Sequence, residues 1–295
     1  MSTAALSEPD LARLLERTSR TFALAIPLLE APLARQVGVA YLLFRVADEL
    51  EDAPLWGRDR RAAALASFVR WLDGDPAEAD DWLSLVASEP PTRDAGCLEL
   101  LARAPDVLAA ARAMDSLAGA AIVAHTRRTA LGMAEFVARQ DERGGITLAD
   151  VDDLRRYAYV VAGIVGELLT ELFAGADPRV AAARSALDAD AAAFGEGLQL
   201  VNILKDASAD AREGRAYLPA DVPRSAIAEL ARASLARAER YVRTLGEARA
   251  ARGVVMFCEL PVRLAVATLD ALDAGAPKLG REEALAIVAA VSSRR

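Results

Sequence analysis

Two stretches of the chain carry acidic residues at helical spacing on segments that are otherwise apolar. "YLLFRVADELED" (41–52) sets Asp48 and Asp52 four residues apart, with Arg45 three residues before Asp48. "LQLVNILKDASADAREGRAYLP" (198–219) places Gln199, Asn202, Asp206 and Asp210 at i, i+3, i+7 and i+11. Residues three or four apart on a helix lie one above the other, about 5–6 Å between Cβ atoms, so each set forms one stripe. Like carboxylates so close repel, and when partly buried each favours its protonated form unless a cation neutralises the pair. Mg2+ suits that task, because it takes oxygen ligands, keeps several waters and is shared with substrate phosphates. Two readings follow. One is a pair of solvated helix ends in an acid-rich chain; the other is two carboxylate pairs whose Mg2+ ions clamp a diphosphate. The second is favoured, because both pairs close very apolar segments and both have arginine or lysine nearby.

The elements that must hold these residues are helices. Apolar residues recur at three- and four-residue intervals along nearly the whole chain, alanine is abundant, and alternating β-branched runs bounded by turns are absent. The fold class expected is all-α, with some eight to ten helices broken at Gly/Pro/Asp-rich points such as 73–81, 141–147 and 213–223. Segments 37–47, 157–173 and 194–204 lack a broad polar face, which assigns them to the centre of a bundle. No linker or composition shift divides the 295 residues, so a single domain spanning 1–295 is expected.

Composition removes several functions. A net charge of −8 argues against a nucleic-acid surface, which needs clustered Lys and Arg. His125 is the only histidine, which excludes His-rich zinc sites and leaves no ready Ser-His triad; it reads as an ordinary helix-surface residue. Cys97 and Cys258 form no CxxC pair and read as small core residues of a reducing compartment. The N-terminal residues are polar and acidic rather than basic then apolar, and the apolar runs fall short of the ~20 residues that span a bilayer. A cytoplasmic protein is expected, with a peripheral contact at the inner face of a membrane left open. Oligomeric state is not legible in the chain.

With these residues in view, the chain resembles the squalene/phytoene synthase family of head-to-head prenyltransferases. Five blocks carry the resemblance in family order: "SRTFALAIPLL" (19–29), "YLLFRVADELED" (41–52), "YAYVVAGIVGELLTELF" (157–173), the 198–219 segment and "FCELPVRLAVATL" (257–269). The resemblance implies an isoprenoid synthase fold, a helix bundle around a deep apolar cavity with the two Asp motifs facing each other at its mouth. It implies Mg2+ on Asp48, Asp52, Asp206 and Asp210, with Glu51 supporting the first motif. Ser19, Arg20, Phe22, Tyr41, Arg45, Gln199, Asn202, Lys205 and Arg215 map to positions that hold the prenyl diphosphate substrates, and Tyr157 to a tyrosine that assists proton removal. Phe257 matches a phenylalanine associated with the second half-reaction. Gly163 and Gly166 would leave room for prenyl tails or serve close helix packing.

The chain departs from the pattern at three positions: Lys205 stands where arginine is common, Val160 where squalene synthases often have a second tyrosine, and Tyr159 where they often have histidine. "FCELP" leans towards squalene synthases, which implies two farnesyl diphosphates as substrates and NADPH as reductant. No Gly-rich dinucleotide fingerprint is present; "FGEGLQLVN" has only GxG, on a helix. Phytoene from C20 substrates, and hydroxysqualene or dehydrosqualene formed without NADPH, remain as alternatives. A terpene cyclase fits less well, because "DELED" with "DASAD" is not the Asp-rich DDxxD. A non-catalytic helical scaffold is the alternative from another class.

Overall fold

A computed structural model describes residues 6–19, 22–75, 77–141, 145–212 and 214–293. Among them the chain is helical throughout, with one isolated bridge between Thr147 and Ala216 in place of any sheet. Fourteen α-helices occur among the described residues, more than the sequence suggests because short turns such as α2 and α10 count separately. The chain divides into two compact units, one formed by residues 1–27 and 31–144, the other by 28–30 and 145–295.

The first unit contains α1 (Glu8–Thr18), α2 (Phe22–Ala25), α3 (Leu33–Asp52), α4 (Arg58–Leu72), α5 (Ala77–Ser88), α6 (Ala95–Arg112) and α7 (Ser116–Ala138). Helix α3 is its axis, packed on α1, α4, α6 and α7. Val39, Leu42, Leu43, Val46, Ala47 and Leu50 have no accessible surface. Beyond its first turn, the positions of α3 that escape burial are Tyr41, Arg45, Asp48 and Asp52, spaced i, i+4, i+7 and i+11. A helix apolar on every other side therefore exposes one polar stripe. Asp94 and Asp115 cap the starts of α6 and α7 by accepting hydrogen bonds from backbone N–H groups. His125 departs from expectation: on α7 it is buried rather than on the surface.

The second unit runs from α8 (Val151–Ala158) through a π-helical turn (Tyr159–Gly163) into α9 (Ile164–Ala176). It continues with α10 (Pro178–Ala182), α11 (Arg184–Arg212), α12 (Arg224–Glu247), α13 (Arg252–Asp273) and α14 (Arg281–Ser292). The π turn is marked by the Ile164 N–H, which donates to the Tyr159 carbonyl five residues back. Helix α11 is the axis here, against α9, the π turn, α12 and α13. Its backbone meets that of the π turn and α9 directly. A Cβ on Gly166 would lie 1.9 Å from the Ala191 carbonyl oxygen, and one on Gly195 1.8 Å from that of Ala162. Of the two explanations for Gly166, close helix packing is the one the structure supports.

The span Val151–Ala176 is one continuous helical run, long and apolar enough by length and composition to cross a membrane. The apolar run within it is shorter than that in the sequence; the π turn joins α8 to α9 without a break and so lengthens the helix. Just over half of its most apolar 18-residue window is buried, as befits the core helix of a bundle.

Candidate functional site

In the first unit the structure gathers Ser19, Phe22, Tyr41, Arg45 and Asp48 along the accessible stripe of α3 and the start of α2. The Ser19 hydroxyl accepts from the backbone N–H groups of Phe22 (3.0 Å) and Ala23 (3.3 Å), capping α2. The Phe22 and Tyr41 rings lie 5.5 Å apart, and the Tyr41 hydroxyl donates to the Thr18 carbonyl at 3.1 Å. Burial raises the Tyr41 phenol, against the opposing effect of Ser19 and Arg45. Arg20 lies outside the described residues.

Arg45 pairs with Glu49 one turn on, and its guanidinium lies 3.8 Å from the Asp48 carboxylate. Glu49 is buried and also accepts from the Cys97 thiol at 2.8 Å. Burial pushes that thiol up to about 12, with the Glu49 carboxylate adding to the effect, so Cys97 is an inert donor rather than a nucleophile. Burial also pushes the Asp48 carboxyl up to about 7; Arg45 opposes this, while Asp52 and Glu49 add like charge. Asp48 nevertheless keeps 38% of its side chain accessible, so the surrounding protein, not full enclosure, raises it. Asp52 is exposed, whereas Glu51 is buried and turned away from the stripe. The Arg61 side chain of α4 donates to the Glu51 carbonyl at 3.0 Å and so secures the last turn of α3.

In the second unit Glu196, Gln199, Asn202, Asp206 and Asp210 are all accessible to some degree and follow one face of α11. Lys205 donates to the Asn202 side-chain oxygen at 3.1 Å and lies 3.3 Å from the Asp206 carboxylate. Asp206 is half-exposed, whereas Asp210 retains only 15% of its side-chain surface. The chain turns at Gly214, where φ is +80°, a conformation glycine adopts without a Cβ clash. That turn brings Arg215 back so that its guanidinium meets Asp210 at 3.2 Å and its N–H donates to the Asp210 carbonyl at 2.9 Å.

Two residues further on, Tyr217 stacks on Tyr157, with ring centroids 5.1 Å apart and planes 27° from parallel. Tyr157 is buried. Phe257 is fully buried, edge-on to Phe173 at 6.1 Å, and as placed presents no surface to a ligand.

The residues fit Mg2+. A carboxyl held up to about 7 beside a second acid is one that a divalent cation would return to its charged form. Among the described residues no three His, Cys, Asp or Glu side chains converge into a ready-made metal cage. An ion that keeps its waters and binds substrate phosphate needs only one or two carboxylates. The GxG of "FGEGLQLVN" does not fit a dinucleotide. Gly195 and Gly197 lie inside α11 against Ala162 and Leu235, where they allow close packing rather than form a phosphate loop.

Sequence reasoning missed Glu49, Arg61, Glu196 and Tyr217; it read Cys97 as a small core residue, as its burial bears out, but not its contact with Glu49. Glu49 was open to the i, i+4 rule from Arg45, and Glu196 precedes Gln199 by three; nothing local points to the Cys97 contact or to Arg61.

An all-helical protein with acid pairs at the ends of two apolar axial helices defines a class, and comparison narrows it. The fold is shared with the solved structure of TcSQS with a bound ligand, at TM-score 0.74 and 22% identity over 94% of this chain and 84% of that one. Residues 15–226 match the family model for squalene/phytoene synthase, and the chain belongs to that family. The squalene synthase of Schizosaccharomyces pombe is 27% identical over 213 residues, 71% of this chain and 44% of that protein. The 15-cis-phytoene synthase of Enterobacter agglomerans is 29% identical over 206 residues, 70% of this chain and 60% of that protein. The match thus spans less than half the length of the S. pombe enzyme and less than two thirds of the bacterial one.

Proposed function

We propose that the chain joins two farnesyl diphosphates head to head through presqualene diphosphate, a cyclopropylcarbinyl diphosphate, and carries this on to squalene. The observation that carries the reading is the pairing of each acidic helix end with its own cation: Arg45 at Asp48, and Lys205 with Arg215 at Asp206 and Asp210. Family membership supports the same reading.

Asp48 and Asp52 on one helix, and Asp206 and Asp210 on another, are the groups that would hold Mg2+. Held there, Mg2+ would supply electrostatic neutralisation of a leaving pyrophosphate without proton transfer. Arg45 of the first unit, and Lys205 and Arg215 of the second, would each add fixed positive charge to diphosphate oxygens, and Arg215 gives a planar fork suited to phosphate. Ser19, Phe22, Tyr41, Gln199 and Asn202 orient the substrate. The allylic cation must be kept from water, which would quench it to an alcohol. As the C–H bond breaks, its electron pair closes the cyclopropane ring. The proton passes by way of the Tyr157 hydroxyl to an oxygen of the released diphosphate, while the Tyr157 ring steadies positive charge.

Squalene as the end product requires hydride from NADPH. The chain offers no dinucleotide loop among its described glycines, so no residue is assigned to that step. The similarity to a phytoene synthase supports a second reading, phytoene from two geranylgeranyl diphosphates. Hydroxysqualene or dehydrosqualene would form without a reductant. Purified protein incubated with Mg2+ and each prenyl diphosphate, with and without NADPH, followed by mass spectrometry, tests all of these. Squalene that appears only with NADPH supports the proposal. Phytoene from the C20 substrate alone replaces it, and no product from either returns the chain to a helical scaffold. Asp210→Asn should remove turnover while the helical circular dichroism stays unchanged.

A further inference from the structure

Tyr217 is a residue of the second unit that the proposed chemistry does not use, yet three independent contacts fix its place. Its ring stacks on that of Tyr157. Its neighbour Ala216 donates its N–H to the Ile146 carbonyl at 2.8 Å and accepts from the Leu148 N–H at 3.4 Å, forming the isolated parallel bridge. On the other side Arg215 is tied to Asp210 through both backbone and side chain. Ile146 and Leu148 are themselves buried, so the strand-like segment they belong to is anchored. That segment leads directly into α8, which carries Tyr157 and is capped by Asp150 through the Asp153 N–H. The bridge therefore ties the approach to one tyrosine to the loop that carries the other. It is the sole β-type pairing among the described residues, at the point where two loops of an otherwise helical unit meet.

We infer that Tyr217 is a positioning residue for Tyr157: its ring fixes the plane of the Tyr157 ring, and with it the plane in which the phenolic O–H bond prefers to lie. A tyrosine ring turns about two side-chain bonds, and the second has a broad, roughly two-fold preference. A neighbouring ring at 5.1 Å and 27° selects one plane by offset stacking. The stacking needs the ring of residue 217 and not its hydroxyl. This inference rests on the role given to Tyr157 under the proposed function.

The test is a double-mutant cycle on the full chain with farnesyl diphosphate and Mg2+, reading kcat, KM and product distribution. Near-UV circular dichroism of the tyrosines provides a readout independent of turnover. Tyr217→Leu is expected to lower kcat roughly three- to ten-fold, the size of one aromatic stacking contact, with KM unchanged. Tyr217→Phe is expected to match the parent chain in kcat and in its near-UV band. In a Tyr157→Phe background, Tyr217→Leu should cost nothing more, since there is no hydroxyl left to aim. An equal cost in both backgrounds, or failure of Phe to rescue, overturns the inference while leaving the role of Tyr157 intact. No effect of Tyr157→Phe overturns that role and the inference with it. If Tyr217→Leu melts well below the parent chain, Tyr217→Met, which keeps apolar bulk without a ring, replaces it under the same expectations.

Discussion

The contact of α11 with the π turn and α9 yields the sharpest prediction about what this chain tolerates. Gly166→Ala adds a Cβ 1.9 Å from the Ala191 carbonyl oxygen and 2.9 Å from its carbon, both backbone atoms that no rotamer change can move. Ordinary carbon–oxygen contact begins near 3.3 Å, so the two backbones must part by about 1.4 Å. A gap of 0.5–1 Å already forfeits roughly a quarter to a half of each dispersion contact along the seam. Against this, alanine in a helix interior is favoured over glycine by about 1 kcal/mol. Overpacking of a tight core costs about 1–3 kcal/mol even where flexible side chains yield, and here they cannot, so a net loss of at least about 3 kcal/mol is expected.

Gly195→Ala, with a Cβ 1.8 Å from the Ala162 oxygen, should cost a similar amount. The double variant should cost less than the sum, because the first substitution has already opened the seam for the second. Gly175 lies on the same α9 with nothing near its Cβ position, so Gly175→Ala should be neutral or slightly stabilising. Urea unfolding followed by far-UV circular dichroism measures each, read as a shift in midpoint at constant slope. A Gly166→Ala or Gly195→Ala protein within about 1 kcal/mol of the parent would refute the close-contact argument, as would an equal loss at Gly175.

Two further predictions concern charge. The Asp48 carboxyl is raised to about 7 in the folded chain, so its stabilising contribution is present in full below its ordinary value of 3.8 and is lost as pH rises through 7. In chelator, Asp48→Asn should therefore be more stable than the parent at pH 8, by about 1 kcal/mol once solvent screening at its accessible face is allowed for, and the gap should narrow at pH 5 and close below 3.8. A variant less stable than the parent at pH 8 would count against the raised value. Asp190, buried on α11, is the opposite case: burial raises its carboxyl, but hydrogen bonds from Arg237 and Arg240 of α12 outweigh that and hold it below 3.8. Its contribution is present above pH 4 and lost as pH falls through the depressed value. Asp190→Asn should cost about 1.5–3 kcal/mol at pH 7 and progressively less below pH 4 in acid titrations of the unfolding midpoint.

What was legible in the sequence was local and periodic. The stripes on α3 and α11 follow from 3.6-residue geometry alone, and α3 exposes the same Arg45, Asp48 and Asp52 that the spacing singled out, with Tyr41, named through the resemblance, on the same stripe. What was not legible depends on chain segments far apart in sequence. Cys97 meets Glu49 across 48 residues, Tyr217 meets Tyr157 across 60, and Arg237 meets Asp190 across 47. No pattern within one segment announces such partners. Gly166 was ambiguous because a missing side chain looks the same whether it leaves space for a ligand or for a backbone. His125 was misplaced because a polar residue on a mostly apolar helix can be buried wherever the fold supplies a partner. Phe257 was singled out through resemblance alone, and its burial against Phe173 makes it part of the core in this structure.

The π turn at Tyr159–Gly163 amounts to a phase setting within a single rod. A turn of this kind holds one residue more than an α turn, so everything beyond it is wound on by about 100° relative to α8. Tyr157 lies before the offset and Gly166 after it. The angle between the tyrosine and the glycine seam is thus encoded by the number of residues between them rather than by their identity. A shortening of 159–163 by one residue, even with every side chain of the seam retained, would rotate Gly166 off the Ala191 carbonyl. Length, at this one place, is as strict a specification as any side chain.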